Sequence, residues 1–507
     1  MSVQQQVGWR NERMGIIGNA GWGGGLVVAA ASMPALAMMI LQRWAQTAVF
    51  VLLFLVVAAV VLVHVKERPL WRWVQQSVLM LAGRAAGVSR FEAKATGEAV
   101  SAKEAEQFDL PGVLQSLQLH DGPPMPSGNM RRPVLLQHKG AKTWAMVASV
   151  QHQGVSMSDS NAIQRFSAAL GQMVQGVVKS QSGMVRVSLY VRSAPADGAE
   201  RAAWVAEHTT TASVPESLAE SIDELERRVL AHSVISEYYV VATFAEDKLA
   251  RPAKAAGGGL AGRAAAMYRA VRSLEANLGD AGCHDIRWLS VHELAAAVRT
   301  GFNPGAAMGI AVAKARNSRG DTWHDGVSPV AAGPSRAPAP SVRSYAHDSY
   351  VSASYSLVLP EMSTQVGKLL RLVRPNQSGE RRCLALHFEP YDTKKGQTVI
   401  ERDTSKAQIG KEIKRQRGFR ISPFAEKKVA AAREQELRLV DGHNLVRVAG
   451  AVAVTVSADQ EIETATTLLE SSARASGYDV MRLELAQDVG FVAAVLPVGL
   501  GMPKRGE

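Results

Sequence analysis

The stretch TAVFVLLFLVVAAVVLV, residues 47–63, carries no charge and one polar side chain, Thr47. Seventeen helical residues extend about 25 Å, close to the roughly 30 Å hydrocarbon core of a bilayer. Residues 23–41 are also uncharged, though rich in Gly and Ala and interrupted by Pro34. Gln42, Arg43 and Trp44 separate the two runs. The pattern predicts a transmembrane helical hairpin over 23–65. Arg10 and Arg13 precede it, and Lys66, Arg68, Arg72, Arg84, Arg90 and Lys94 follow, while the turn holds only Arg43. Positive flanks stay in the cytoplasm, so a two-pass topology with both termini cytoplasmic is expected. Trp22, Trp44, Trp71 and Trp73 stand where interfacial aromatic anchors belong. Two other readings compete. Ala35-Leu36-Ala37 resembles a signal-peptidase site, although a second apolar run follows it at once. A hairpin buried in a soluble core is the other, although residues 51–63 show no polar face.

Outward from the hairpin, Leu70, Val74, Val78, Leu81, Ala85 and Val88 recur every three or four residues. They predict a juxtamembrane amphipathic helix within 66–100, lying on the inner leaflet or packed on the body of the protein. From residue 101 strands and helices alternate. Residues 143–150, 185–191, 238–244 and 286–289 read as strands. Ile163, Phe166, Leu170, Met173 and Val177 mark one face of a helix, and Leu260, Ala264, Met267, Val271 and Leu274 another. Ser213-Val214-Pro215-Glu216 is a capping box, and Leu218, Ile222, Leu225 and Val229 are expected to be the buried stripe of the helix it starts. Pro329, Pro334, Pro338 and Pro340 make 327–343 a linker or an extended crossing. Beyond it, 351–359, 383–388, 446–456, 480–485 and 491–496 read as strands and 462–475 as a helix. The expected architecture is a tail (1–22), the hairpin (23–65), the juxtamembrane helix (66–100), an α/β domain (101–326), the linker (327–343), a second α/β domain (344–500) and a short tail (501–507). Two domains of similar logic fit better than one large sheet, and no short-period repeat stands out.

Composition excludes several classes. Of 507 residues, 47% are apolar and 20% charged, so the chain is neither disordered nor collagen-like. Two cysteines, Cys283 and Cys383, build no disulfide framework. The net charge of +11 suits an anionic membrane surface or nucleic acid without choosing between them. Gly257-Gly258-Gly259-Leu260-Ala261-Gly262 spells G-x-G-x-x-G, but residues 246–256 intervene where a dinucleotide site needs a strand, so a loop before a helix is expected. Gly367-Lys368 and Gly410-Lys411 lack the following Ser or Thr of a P-loop, which argues against a nucleotide-driven motor. Cys283-His284-Asp285 are neighbours on one strand, where alternate side chains face opposite ways, so they make a poor nucleophile–base set. No histidine pair has zinc spacing. His120-Asp121, His324-Asp325 and His347-Asp348 are expected in turns. No catalytic residue, metal or cofactor is therefore expected. The stretch 394–428 is strongly basic and nearly free of aromatics. Lys411, Lys414, Arg415 and Arg417 are its candidate contacts to an acidic partner or anionic lipid. A solvated face is the plain alternative, and a base-stacking platform is poorly supported.

Several segments, taken in order, resemble one family. They are Trp9-Arg10 with Gly15, Leu110-Pro111-Gly112-Val113-Leu114 with His120-Asp121-Gly122, the run 238–244, His292-Glu293-Leu294-Ala295 leading to Phe302-Asn303-Pro304, Ala332-Gly333-Pro334, Arg381-Arg382, the run 452–456, and Leu496-Pro497-Val498-Gly499. Their order and spacing look like the two-pass membrane proteins of actinobacterial conjugative elements, encoded beside a type IV secretion-like ATPase. The layout is also similar, more distantly, to the EccE component of type VII secretion. The resemblance implies a non-catalytic structural or docking component of a conjugation or secretion apparatus in the inner membrane. Its implied partners are the transport ATPase, neighbouring subunits and further copies of itself. A membrane-tethered nucleic-acid-binding protein of a mobile element is the alternative, resting on charge alone.

Overall fold

A computed structural model describes residues 30–34, 37–62, 64–65, 68–85, 90–96, 101–152, 160–179, 183–195, 215–317, 327–359, 367–391 apart from 378, and 445–502, with isolated residues between 205 and 437. Trp44–Leu62 forms α1 and Leu70–Ala85 forms α2, on which α1 packs. Between them His64–Val65 pairs with Arg68–Pro69. The expected membrane-anchored hairpin is corrected here. Among the described residues no helix is long and apolar enough to cross a membrane. In the first arm, which is rich in glycine and holds Pro34, the described helical stretches are short, 30–34 and 37–40. The second arm ends at Leu62, where the chain turns into the two short strands.

The body is one sheet rather than two separate domains, a second correction to the expected fold class. In chain order its strands are β1 (Leu117–Asp121), β2 (Val134–His138), β3 (Thr143–His152), β4 (Met184–Pro195), β5 (Val234–Ala245), β6 (Cys283–Trp288), β7 (Tyr345–His347), β8 (Tyr350–Val358), β9 (Arg381–Pro390), β10 (Val446–Ser457) and β11 (Asp479–Arg482). All eleven join one sheet ordered β7-β8-β10-β9-β4-β5-β3-β2-β1, with β11 beside β8 and β6 beside β3. Every pairing is antiparallel. Besides the single turn Ala102–Ala105, the helices described in the body are α3 (Ser160–Lys179), α4 (Glu216–His232), α5 (Glu246–Ala255), α6 (Gly259–Asp280), α7 (Val291–Phe302), α8 (Ala306–Asn317), α9 (Leu370–Val373), α10 (Ile462–Ala475) and α11 (Gln487–Val495).

The strand order contains the same unit twice. β3, α3, β4, β5, α6 and β6 give the order β6-β3-β5-β4, with strand four beside one, one beside three and three beside two. β8, α9, β9, β10, α10 and β11 give β11-β8-β10-β9, again 4-1-3-2. Each is the split β-α-β arrangement of ferredoxin-like folds. The units meet through their second strands. Arg382 to Phe388 of β9 lie opposite Ser193 to Val187 of β4, so both strand edges are satisfied in place of two open edges. This pairing relates the units by a pseudo-twofold axis normal to the sheet. Accessory parts obey it too. A short strand precedes each unit and pairs with the start of its first strand, β2 with β3 and β7 with β8. A helix follows each unit, α7 after β6 and α11 after β11.

Strand alternation sorts the two cores. On one face Val452, Val454 and Val456 of β10 and Val240, Ala242 and Phe244 of β5 pack with Met267, Val271 and Leu274 of α6 and Leu469 of α10. On the other, Ala145, Ala385, Ala451 and Ala453 leave room for Leu294 and Phe302 of α7 and for Phe491 and Ala494 of α11. Residues 491–496, expected as a strand, lie mostly in α11. A short run of unbroken apolar residues has no period to distinguish helix from strand, and burial on all sides decides it. Residues 246–255, expected as a loop, form α5 with Pro252 inside it. Gly257, Gly258 and Gly259 all take positive φ and turn the chain from α5 into α6, so no strand enters this turn. His120-Asp121, expected in a turn, ends β1, whereas Asp348 turns the chain between β7 and β8 with φ of 49°. His324 and Asp325 lie outside the described residues. Part of the proline-rich segment is built into the body, where Pro329, Val330, Ala332 and Ala337 are buried and Arg336–Ala337 pairs with Phe91–Glu92.

Candidate functional site

The densest polar cluster lies where α7 and α11 end, on the face of the sheet over the pseudo-twofold axis. The last carbonyls of a helix have no partner within it and carry partial negative charge. Here side chains from the sheet supply the missing donors, in symmetric and crossed fashion. Arg381 of β9, in the second unit, donates to the carbonyls of Thr300 and Gly301 at the end of α7, in the first. Its counterpart Arg186 of β4 donates to the carbonyl of Gly499, just past α11. The two arginines correspond because each stands opposite a threonine, Thr455 and Thr243. His347 closes β7 and donates through Nδ1 to the Phe302 carbonyl, while His138 closes β2 and donates through Nε2 to the Val498 carbonyl at 2.9 Å. His347 therefore holds the end of α7 and His138 the segment just past α11, each from the other unit. Arg192 and His387 occupy corresponding places and bond the helix of their own unit, at Ala297 O (2.7 Å) and Ala493 O (3.1 Å). The helix ends approach closely between these groups, and a side chain at Gly301 would collide with Leu496 and Arg192.

The electrostatics fit a structural role. Burial pushes the His347 and His387 imidazoles down to about 3, with Arg381 and Arg186 respectively adding to the effect, and it pushes His138 down as well. The histidines are neutral, and a carbonyl can only accept, which fixes the tautomers. His347 carries its proton on Nδ1 and accepts from Ser352 at Nε2 (2.8 Å), and His387 carries it on Nε2 and accepts from Ser188 at Nδ1 (2.8 Å). Burial works against the charge of Arg192, yet Glu237 at 2.7 Å and the Tyr239 hydroxyl hold its pKa above the ordinary value. Burial lowers that of Arg381. Burial also raises the Cys383 thiol, which lies between these arginines and is fully enclosed. Both ring nitrogens of His347 and His387 are engaged, so neither has a free position for proton transfer. Among the described residues no group of three His, Cys, Asp or Glu side chains is placed to hold a metal.

Clefts open at the surface of the described residues. One, of about 330 Å³, lies between α8 and the segments 93–96 and 327–335, with Ile310, Val327 and Arg299 in its wall. Arg299 is already paired with Asp348 at 3.0 Å and with the Gly333 carbonyl. Another, of about 250 Å³, is lined by Ser193, Val234, Ser236, Leu370, Val373 and Arg374. Neither brings together groups for acid–base or nucleophilic chemistry.

Exposed apolar surface is the more informative feature. On α1, Val49, Val51, Leu52, Leu53, Leu55 and Val56 are all exposed, and on α2 Val78 and Leu81. On α4 the stripe expected to be buried is instead open: Leu218 is 51% exposed, Ile222 48%, Leu225 60% and Val229 40%. Its periodicity marked a face correctly, but no element of the described body covers that face.

The candidate residues from the sequence are scattered. Trp44 opens α1 and is exposed, Trp71 lies in α2, and Trp73 is half-buried in the same helix. Trp22, Lys411, Lys414, Arg415 and Arg417 lie outside the described residues. The cluster at the helix ends was missed, although its signal is visible in hindsight. Arg192 and His387 each interrupt an apolar strand, where a buried polar residue requires a partner. No protein-family model matches the chain, and no curated protein matches it.

Proposed function

We propose that the protein is a non-catalytic docking component of a conjugation or secretion apparatus at the bacterial inner membrane, with a transport ATPase or neighbouring subunits as partners. The observation that supports this best is the open apolar face of α1. At 3.6 residues per turn, positions 49, 51, 52, 53, 55 and 56 sweep over half the helix circumference. Apolar surface of this breadth marks a protein or membrane contact. A single protein groove covers one face of a helix, whereas lipid covers any breadth. Val78 and Leu81 on α2 continue the surface, and the net charge of +11 favours an anionic leaflet. The ordered motifs of the sequence supply the link to an apparatus, and every buried polar side chain described at the helix ends serves the fold.

Flotation of the purified full chain with vesicles of mixed neutral and anionic phospholipid tests the membrane contact. The protein is expected to rise with the vesicles, and Leu52→Gln/Leu55→Gln/Val56→Gln to remain at the bottom of the gradient. A wild-type chain that stays monodisperse and unbound sinks the membrane reading. Affinity purification from membranes tests the partner: recovery of a transport ATPase supports docking, and its consistent absence from cells that make the apparatus argues against it.

A further inference from the structure

We propose that the outer face of α5 and α6 binds the phosphate backbone of double-stranded nucleic acid without reading its sequence. The inference stands apart from membrane attachment. From Lys248 to Arg272 the chain holds six cations and no acid. Arg263 turns inward over Trp144 and pairs with Glu246 at 3.7 Å. The other five, Lys248, Arg251, Lys254, Arg269 and Arg272, are exposed. Lys142, also exposed, joins them, because its carbonyl accepts from the Glu246 amide at the start of α5. Among the described residues none of these six exposed cations has an acidic partner, whereas Arg131, Arg299 and Arg482 on other elements each hold a carboxylate. The acids of the two helices do not cancel the patch. Glu246 is taken by Arg263 and the Trp144 indole, and Glu275 accepts from the Trp288 indole. Asp247 and Asp280 are exposed but stand at the extremes, the second residue of α5 and the last of α6. The fold does not demand this charge: α10, the counterpart of α6 in the second unit, carries Glu463, Glu470 and Arg474.

Direction and composition identify the partner. Leu249 of α5 and Met267 and Val271 of α6 are buried in the same core, so the outer sides of both helices look away from the same face of the sheet. α3, which packs beside α6 on that face, adds the exposed Arg165 and carries no acid. The chain comes from α2 into the body on the opposite face, where Phe91 pairs with Ala337 and packs against the core of α7 and α11. The patch is thus turned away from the side on which α1 and α2 enter, which favours a soluble polyanion over the leaflet. The exposed residues between the cations are alanine, glycine and one serine, Ser273. They offer no apolar anchor for a protein partner and no ring for unpaired bases. A duplex needs neither. It presents about one negative charge per 1.7 Å of its length, so the patch engages it in many registers.

The test uses the full chain in mild detergent and a short fluorescent DNA duplex of arbitrary sequence, followed by polarisation. With six cations engaged, affinity should fall about 1,000-fold between roughly 50 and 200 mM salt, through release of condensed counterions. Lys248→Gln/Arg251→Gln/Lys254→Gln should bind more weakly at low salt and lose only about 40-fold over the same range, because three fewer phosphates are neutralised. The helical signal in circular dichroism should be unchanged, since all three side chains are exposed. A duplex of unrelated sequence should bind alike, and Lys411→Gln/Lys414→Gln/Arg415→Gln/Arg417→Gln should keep the wild-type salt dependence. Absence of binding at low salt overturns the proposal. So does a triple variant with the wild-type salt dependence, or loss of binding only in the variant at 411–417, which would assign the contact to the stretch 394–428. A triple variant that binds the duplex normally but no longer floats with anionic vesicles, or no longer retains a protein subunit purified from membranes, also overturns it and gives the face to that partner.

Discussion

Acidification from about pH 7 to pH 5 should destabilise this protein more than its exposed charges explain. His347 and His387 are buried and neutral, with pKa values of about 3. In the unfolded chain each returns to about 6.5. Below that value the unfolded state takes up protons that the folded state refuses, so stability is fully present above pH 6.5 and falls as the pH drops. At pH 5 each histidine has removed about 2 kcal/mol relative to pH 7, and the pair about 4 kcal/mol. That is a large share of the roughly 5–15 kcal/mol typical of a folded protein. His138, also pushed down by burial, adds in the same direction, and Asp488, pushed up by burial, opposes it. Urea unfolding followed by tryptophan fluorescence at the two pH values measures the change. His347→Asn keeps a donor for the Phe302 carbonyl and His387→Gln one for Ala493, and neither titrates. The double variant should lose most of the pH dependence. Equal stability of the wild type at both pH values would refute the reasoning, as would a double variant that still loses the full amount.

Three further outcomes follow from the same geometry. Gly301→Ala should destabilise by about 1–3 kcal/mol, read as a lower unfolding midpoint, because its methyl group has no room beside Leu496. Glu380→Ala should remove about 3–5 kcal/mol, since Glu380 and Arg382 are both fully buried and paired at 2.7 Å, and the variant strands the guanidinium. The corresponding threonines should differ: Thr455→Val loses bonds to Ser352 and Arg381 and costs about 1–2 kcal/mol, whereas the Thr243 hydroxyl has no partner among the described residues and Thr243→Val should be near neutral in the same unfolding assay.

Much of the local structure was legible in the sequence. The strands at 143–152 and 446–457 and the helix at 462–475 follow from period and residue type. What failed depends on distant parts of the chain. The apolar run 491–495 became helical because it is enclosed under the second face of the sheet, which no local pattern states. Pairing of β4 with β9 joins residues nearly two hundred apart, and neither strand announces its partner. The duplicated unit hides because corresponding positions share a role more than a residue type. Arg192 corresponds to His387, and only a few identities survive, such as His138 with His347 and Thr243 with Thr455. The stripe of α4 failed differently: periodicity identifies an apolar face but not what lies against it.

The crossed bonding of α7 and α11 bears on how the chain comes apart. Two similar units side by side would ordinarily melt in two steps, the weaker first. Here, loss of the second unit takes away His347 and Arg381 and leaves the end of α7 with bare carbonyls. Loss of the first takes away His138 and Arg186 from the segment after α11. Neither unit has a complete hydrogen-bond inventory by itself. The two should therefore share a single cooperative transition, and a force or protease that opens one opens both.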